Sequence, residues 1–159
     1  MNGFAFLPIK TEFAGPAPKA GADDEDIIDE AIGYFRASVL FKHFEVKGAA
    51  DKNLIYLTCF ICKCLDAISK NQDQDKATKE IFKLSMEAVT AGSSSSFFMK
   101  DLIKYNAKED DKWKKYMLQC KQELAKRLMD VLYNPEWGTL DLKFWLTFSK
   151  RKFLGRTFN

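Results

Sequence analysis

Three cysteines of the stretch CFICKC are the residues whose spacing most resembles a chemical site. Cys59 and Cys62 have the C-x-x-C spacing found in zinc sites and in thiol–disulfide enzymes. A zinc site needs four ligands, usually from two such pairs, and the sequence offers neither a second pair nor a nearby histidine. Because the surrounding apolar pattern is helical, Cys64 points about 140° away from Cys59, so the three thiols cannot meet at one metal. We interpret them, together with Cys120, as reduced thiols that pack in a cytosolic core.

The remaining candidates for catalysis are isolated or belong to charge runs. His43 is the only histidine, and its expected place near the C-terminal end of a helix favours an interaction with the helix dipole. Acidic runs at residues 23–30 and 109–111 are typical of helix starts. The glycines form no phosphate-binding loop, and the run GSSSS lacks the glycine framing of a nucleophile elbow. The sequence therefore predicts a protein that is not an enzyme, with no catalytic residue, no cofactor and no metal.

The C-terminal end carries a basic stretch interleaved with phenylalanine, and no acid follows Asp141. One interpretation is a solvated helix end whose cations complement the helix dipole. The other is an interaction surface, which would suit an acidic protein, nucleic acid or anionic lipid. Charge alone does not choose among these. The basic residues are Lys143, Lys150, Arg151, Lys152 and Arg156.

The N-terminal segment is apolar but shows no helical period. It holds three of the four prolines, whose fixed φ angle favours extended backbone. Apolar side chains would be costly in a free tail, so the segment should lie along a surface, either the protein's own or a partner's. We predict an extended, proline-containing arm over residues 1–22. Its apolar contacts are Phe4, Leu7, Ile9 and Phe13.

The rest of the chain shows the periodicity of amphipathic helices and no alternating strand pattern. We predict an all-α fold, a single compact domain of about five helices with an extended N-terminal segment. The serine-rich stretch predicts a loop over residues 92–107, and residues 150–159 form a basic tail. The predicted helices run from about Asp24 to Val46, from Asp51 through Ile68, from Thr78 to Val89, from Glu109 to Asn134 and from Thr139 onward.

Composition agrees with a globular, cytosolic protein of one domain. The chain has 159 residues, a formal net charge of +3 and a pI near 8.6, which is too mildly basic to argue for nucleic acid. No apolar run approaches the ~18 residues that a membrane span requires, and the first residues lack the pattern of a secretion signal. We therefore expect a cytoplasmic location.

Long stretches of the sequence are similar to a known family. LPIKTEFAGPAP at residues 7–18 and DIIDEAIGYFRASVLFKHFEVKGAADKNLIYLTCFICKCL at residues 26–65 resemble subunit 3 of the actin-related protein 2/3 complex. The similarity continues more loosely through residues 114–132 and through FWLTFSKRKFLGR near the end, and it is weakest over residues 71–110. The resemblance is specific because three features occur together, namely an arm interrupted by prolines, a helix capped by acids and an aromatic-rich stretch.

This resemblance implies a small helical subunit of the assembly that nucleates a new actin filament on the side of an existing one. In that family the subunit binds no nucleotide, and it contacts an actin-related subunit and the mother filament. The implied partners are the actin-related subunits, the other subunits and the actin filament, without nucleic acid or membrane, at the cytoplasmic actin cytoskeleton. The apolar arm and the cations Lys150, Arg151, Lys152 and Arg156 are the predicted contacts. A free-standing helical adaptor that binds peptide or anionic lipid is the alternative, and a thiol enzyme is a weaker one.

Overall fold

The structure is a computed structural model, and it describes residues 3–38, 47–89 and 107–133. Over these ranges the chain forms four helices and no strand, with one isolated parallel bridge between Ile9 and Lys19. The prediction of an all-α fold is confirmed. A fifth helix from Thr139, the basic tail, His43 and all but the last residue of the predicted 92–107 loop lie outside the described residues. The helices are α1 (Ile27–Ser38), α2 (Ala49–Lys70), α3 (Gln74–Met86) and α4 (Ala107–Leu132).

Helix α1 begins at a capping residue within the acidic run. The Asp26 carboxylate accepts hydrogen bonds from the backbone N–H groups of Ile28 (3.1 Å) and Asp29 (3.0 Å), and the Asp29 carboxylate accepts from the N–H of Asp26 (3.3 Å). This reciprocal arrangement satisfies N–H groups that have no partner inside the helix. The start predicted at Asp24 was therefore wrong by three residues, since Asp26 is the acid that caps.

Helix α2 is the central helix, as predicted. It contacts each of the other three helices, and most of its residues from Ile55 to Leu65 are buried. The carboxylate of Asp51 accepts from the N–H groups of Lys47 and Gly48, both at 2.9 Å, so it caps the helix from within the first turn. For this reason α2 begins at Ala49, two residues before the predicted start.

Helix α3 begins four residues before its predicted start at Thr78. Asp73 caps it by accepting a hydrogen bond from the N–H of Lys76 (3.1 Å). The second half of the polar stretch KNQDQDK therefore forms the first turn of this helix. The predicted end at Val89 was also too late, since α3 ends at Met86 and Val89 is buried beyond it.

Helix α4 supplies the largest side chains of the core. It begins at Ala107, two residues before the predicted Glu109, and it contacts α1, α2 and α3. Trp113, Tyr116 and Met117 have no exposed surface. Burying side chains of this size removes a large apolar area from water, so α4 contributes strongly to the stability of the core.

Candidate interaction surfaces

The N-terminal arm lies on the helices of its own chain. The Phe4 ring is only 3% exposed, with its centroid 5.3 Å from that of Trp113 and 6.4 Å from that of Tyr56. Ile9 is fully buried in the same core. The expectation that a surface covers this apolar segment is thus met by α2 and α4, and we call residues 3–22 the docked arm.

Three side chains each bind both an N–H group and a carbonyl group of the docked arm. The Asn53 amide accepts from the N–H of Ala5 (3.1 Å) and donates to its carbonyl (2.9 Å). The Tyr116 hydroxyl accepts from the N–H of Leu7 (3.1 Å) and donates to the carbonyl of the same residue (3.0 Å). These contacts replace the hydrogen bonds that a neighbouring strand would provide. The backbone N–H and carbonyl groups of Ala5 and Leu7 therefore have partners without a sheet.

Gln119 makes the third contact of this kind, where the arm turns back. Its amide accepts from the N–H of Ala17 (2.9 Å) and donates to the carbonyl of Phe13 (2.8 Å). Gly15 lies between these two residues, and a Cβ atom at that position would sit 2.3 Å from the Gln119 Oε1 atom. An alanine here would therefore displace Gln119 from the position in which it binds the arm.

Arg127 joins the docked arm, the start of α1 and α4. Its guanidinium donates to both carboxylate oxygens of Asp26 (2.7 and 2.9 Å), to Asp29 (2.9 Å) and to Glu123 (2.7 Å), and also to the carbonyl of Lys10. The Asp26 side chain has no exposed surface. We call Arg127, Asp26, Asp29 and Glu123 the Arg127 cluster. A guanidinium suits this role because its donors match carboxylates in pairs.

The charges of the Arg127 cluster stabilise one another against burial. Burial alone would raise the pKa of Asp26, but hydrogen bonds from Arg127 and from the backbone N–H groups of Lys10 and Asp29 outweigh it and hold the pKa below its usual value. Burial would lower the pKa of Arg127, but the bonds to Asp26 and Glu123 raise it instead. Both groups are ionised at neutral pH, so a buried charged pair joins the arm to α1 and α4.

The arm also contributes side chains to this network. The Thr11 hydroxyl donates to Glu123 (2.8 Å), and the Lys10 ammonium pairs with Asp29 at 2.7 Å. The N–H of Lys10 donates to Asp26 (2.8 Å). The residues of α4 that bind the arm are Tyr116, Gln119, Glu123 and Arg127, whose spacing of three, four and four places them on one face.

The residues predicted to bind a partner have different positions in the structure. Phe4 and Ile9 are buried in the core of their own chain. Leu7 and Phe13 are half-buried and keep some exposed surface. A partner contact by these four residues stays a prediction, and the single chain favours Leu7 and Phe13 for it. The cations Lys150, Arg151, Lys152 and Arg156 lie outside the described residues.

The four cysteines are buried and unpaired. Burial raises the pKa of Cys59 well above its usual value, and it raises the pKa of both Cys62 and Cys120 to about 12. A thiol with such a pKa is neither a nucleophile nor a ready metal ligand at neutral pH. Across residues 3–38, 47–89 and 107–133 no group of side chains has the arrangement of a metal site. The interpretation of the cysteines as packing residues is confirmed.

Local sequence patterns did not predict the roles of Asn53, Gln119 and Arg127. A partial signal exists, because Gln119, Glu123 and Arg127 recur at helical spacing next to the apolar face of α4. Polar residues in such a row indicate a buried polar contact, but the pattern does not reveal its partner. In the described part of the chain no helix is long and apolar enough to cross a membrane.

The docked arm and the four described helices define a helical structural protein. Its buried polar side chains bind other parts of the same chain. Comparison with known proteins identifies the family of this chain. The family P21-Arc, the ARP2/3 complex ARPC3 (21 kDa) subunit, matches residues 1–158. The chain belongs to this family, whose members are structural, non-enzymatic subunits associated with actin nucleation and branching. The prediction that it is not an enzyme is confirmed on this ground.

Individual relatives agree with the family match. The chain is 40% identical to actin-related protein 2/3 complex subunit 3 of Dictyostelium discoideum, over 98% of this chain and 90% of that protein. It is 38% identical to the subunit 3 of Schizosaccharomyces pombe, over 98% and 89%. With the subunit 3 of Arabidopsis thaliana it shares 37% identity, over 96% and 87%. The resemblance first seen in the sequence is therefore confirmed over nearly the whole chain.

Proposed function

We propose that this chain is a subunit of an actin-related protein 2/3 complex in the cytoplasm. In that position it contacts an actin-related subunit and the mother filament, and it helps the complex to nucleate a branch. Its partners are the other subunits and actin, without nucleic acid or membrane. The observation that carries the proposal is the family match over residues 1–158.

The docked arm supports a contact role in physical terms. A protein that holds two partners in a fixed relative position needs a rigid surface, because ordering a mobile segment on binding costs free energy. Here Asn53, Tyr116, Gln119 and Arg127 fix the arm before any partner arrives. The half-buried side chains of Leu7 and Phe13 then form a pre-organised apolar edge for an actin-related subunit. Phe4 and Ile9 act as the anchors that hold this edge in place.

The basic tail at residues 150–159 supports the filament contact, because its cations complement an acidic surface. The test uses the complex reconstituted with a triple variant of the tail, Lys150→Glu, Arg151→Glu and Lys152→Glu. Branch density at fixed complex concentration should fall several-fold. A matched control reverses three exposed lysines elsewhere, Lys19, Lys115 and Lys126.

Three outcomes contradict parts of the proposal. Normal branching by the tail variant, or an equal loss in the control, would remove the tail from the filament contact. The adaptor alternative is separated by size-exclusion chromatography of native extract, where a subunit elutes with an assembly far heavier than its own 18.3 kDa. Elution as a solitary chain would refute the role as a subunit.

A further inference from the structure

Thr11 carries the one hydroxyl side chain of the docked arm, and it binds a charged residue far away in the sequence. Its hydroxyl donates to the Glu123 carboxylate of α4 (2.8 Å), across 112 positions. The same oxygen accepts from the backbone N–H of Phe13 (3.1 Å), which closes a tight turn of the arm. Thr11 therefore links the arm to α4 through its side chain. Four other described hydroxyl groups donate instead to carbonyl groups of their own helices, namely those of Thr58, Ser69, Thr78 and Ser85.

The surroundings of the Thr11 hydroxyl carry more negative than positive charge. The Arg127 cluster contributes three carboxylates and one guanidinium, and Lys10 adds an ammonium group that already pairs with Asp29. A guanidinium has five N–H donors. Arg127 makes five hydrogen bonds to described residues, four to carboxylates of the cluster and one to a carbonyl of the arm. These bonds use every donor, so Arg127 offers none to a further anion next to Thr11.

Glu123 is the carboxylate that the Thr11 hydroxyl contacts, and it is only 5% exposed. One of its oxygens accepts from Thr11 and the other accepts from Arg127. A phosphate on Thr11 would remove the proton that Glu123 accepts and would add a charge of about −1.5 to −2 beside this buried carboxylate. A phosphate placed next to an acid disrupts a contact through like-charge repulsion and desolvation. Phosphorylation of Thr11 would therefore break this bond between the arm and α4.

The turn that begins at Thr11 is open to an enzyme. Residues 11–18 form neither helix nor strand, and none of their side chains is fully buried. Glu12, Ala14 and Gly15 are exposed, and Thr11 itself is half-buried. A segment that buries few apolar contacts opens locally with a small free-energy change. Such an opening exposes the Thr11 hydroxyl without unfolding any of the described helices.

The first half of the arm is held independently of this turn. Phe4 and Ile9, which precede Thr11, are buried in the core, and the main chain of Leu7 is bound by a different side chain of α4. The turn at residues 11–18 is bound instead by the Thr11 hydroxyl and by one amide side chain of α4. Because both contacts belong to one short turn, moving Thr11 away from α4 also pulls on the bonds to that amide. Residues 11–18 can therefore detach while the preceding residues stay in place.

We propose that Thr11 is a phosphorylation site and that its modification releases residues 11–18 from α4. The enzyme is a serine/threonine kinase, and its co-substrate is a nucleoside triphosphate. The Thr11 Oγ atom attacks the γ-phosphorus, the bond from that phosphorus to the bridging oxygen breaks, and the nucleoside diphosphate leaves. The hydroxyl proton passes to the catalytic aspartate of the kinase. This role goes beyond that of a subunit and does not depend on it.

Mass spectrometry tests whether the site is modified. The protein is purified from its source cells in the presence of phosphatase inhibitors and digested with trypsin. Residues 1–33 contain no other serine, threonine or tyrosine, so a phosphate on the N-terminal peptides is assigned to Thr11 without ambiguity. Phosphate at Thr11 supports the proposal. Recovery of these peptides only in the unmodified form overturns it.

Amide hydrogen exchange, followed by NMR, tests the consequence in the full chain, with phosphothreonine inserted in place of Thr11 through an expanded genetic code. The N–H of Ala17, which donates to Gln119, should exchange about tenfold faster or more. The N–H of Leu7 lies before the turn and should exchange at its original rate. Phosphothreonine at Thr78 is the matched control, because that hydroxyl donates within α3, and it should leave both amides unchanged.

Two further variants separate the added charge from the lost hydrogen bond. Thr11→Val removes the hydroxyl without adding charge, so it should accelerate exchange at Ala17 less than phosphothreonine does. Glu123→Gln combined with phosphothreonine should return the rate towards that of the unmodified protein, because an amide is uncharged and can donate to the phosphate. Unchanged or slower exchange at Ala17, equal acceleration at Ala17 and Leu7, or an equally large effect of Thr11→Val would overturn the proposal.

Discussion

Replacing Arg127 by methionine would keep a long side chain in place and remove the guanidinium that joins three parts of the molecule. Arg127 bonds to Asp26, Asp29 and Glu123, and it also binds the carbonyl of Lys10 in the docked arm. Its side chain is 17% exposed, and that of Asp26 is fully buried. The substitution therefore leaves a buried carboxylate without its main partner.

The size of the effect follows from this burial. Removing one partner of a buried ion pair typically costs about 3–5 kcal/mol, because the remaining charge stays desolvated and unpaired. The Asp26 carboxylate keeps its hydrogen bonds from backbone N–H groups, so we expect the lower part of that range, about 3 kcal/mol. A domain is commonly stable by only about 5–15 kcal/mol, so the loss would be a large fraction of the total.

The free energy of unfolding is measured by urea titration, followed by tryptophan fluorescence, to which Trp113 in the core contributes. Lys126→Met is the matched control, since Lys126 is exposed on the same helix and should change stability by no more than about 0.5 kcal/mol. A double variant that also carries Asp26→Asn should recover part of the loss, because the unpaired charge is then gone. A loss below about 1 kcal/mol for Arg127→Met, or no recovery in the double variant, would refute the reasoning.

The same cluster sets a direction for the dependence on pH. The pKa of Asp26 is lower in the folded chain than in the unfolded one, where an aspartate has a pKa of about 3.9. Its contribution to stability is thus fully present above that pH and is lost as the pH falls through the lower, folded pKa. Without Arg127 the folded pKa of Asp26 rises towards the unfolded value or above it, so urea titrations at decreasing pH should show a smaller acid-dependent loss of stability for the Arg127→Met protein than for the wild type.

Two further predictions concern the arm and the thiols. Gly15→Ala should destabilise the protein by about 1–3 kcal/mol, because the new Cβ displaces Gln119 from its bonds to Ala17 and Phe13. The loss should be smaller when Gly15→Ala is introduced into a protein that already carries Gln119→Ala. An unchanged midpoint of thermal unfolding for Gly15→Ala would contradict this account. Cys62 should react with a thiol reagent at pH 8 no faster than the protein unfolds, since burial raises its pKa to about 12; rapid labelling of the folded protein would show that it is accessible.

Much of the fold could be predicted from local sequence patterns. The apolar period of α2 and α4 placed both helices within two residues of their observed starts, because amphipathic spacing is strong over long segments. Helix α3 was predicted four residues late, since its first turn is polar and only the cap by Asp73 marks its start. The acidic run correctly indicated a helix start, but several acids competed for the cap and Asp26 could not be distinguished from Asp24.

The contacts of the docked arm could not be predicted in the same way. Tyr116 binds Leu7 across 109 positions of sequence, and Asn53 binds Ala5 across 48. No local pattern contains that information, because such a contact depends on how the helices meet in space. The family resemblance supplied the role of the protein, whereas the physical arrangement of its polar core required the structure.

The order in which the molecule folds follows from where the arm is attached. Its binding residues are Asn53 on α2 and Tyr116, Gln119 and Arg127 on α4, so no complete docking surface exists until those two helices have packed together. Closing loops this long costs chain entropy before any contact compensates for it. We therefore expect the docked arm to be among the last segments to acquire its native position, because it must wait for the synthesis of residues more than a hundred positions away.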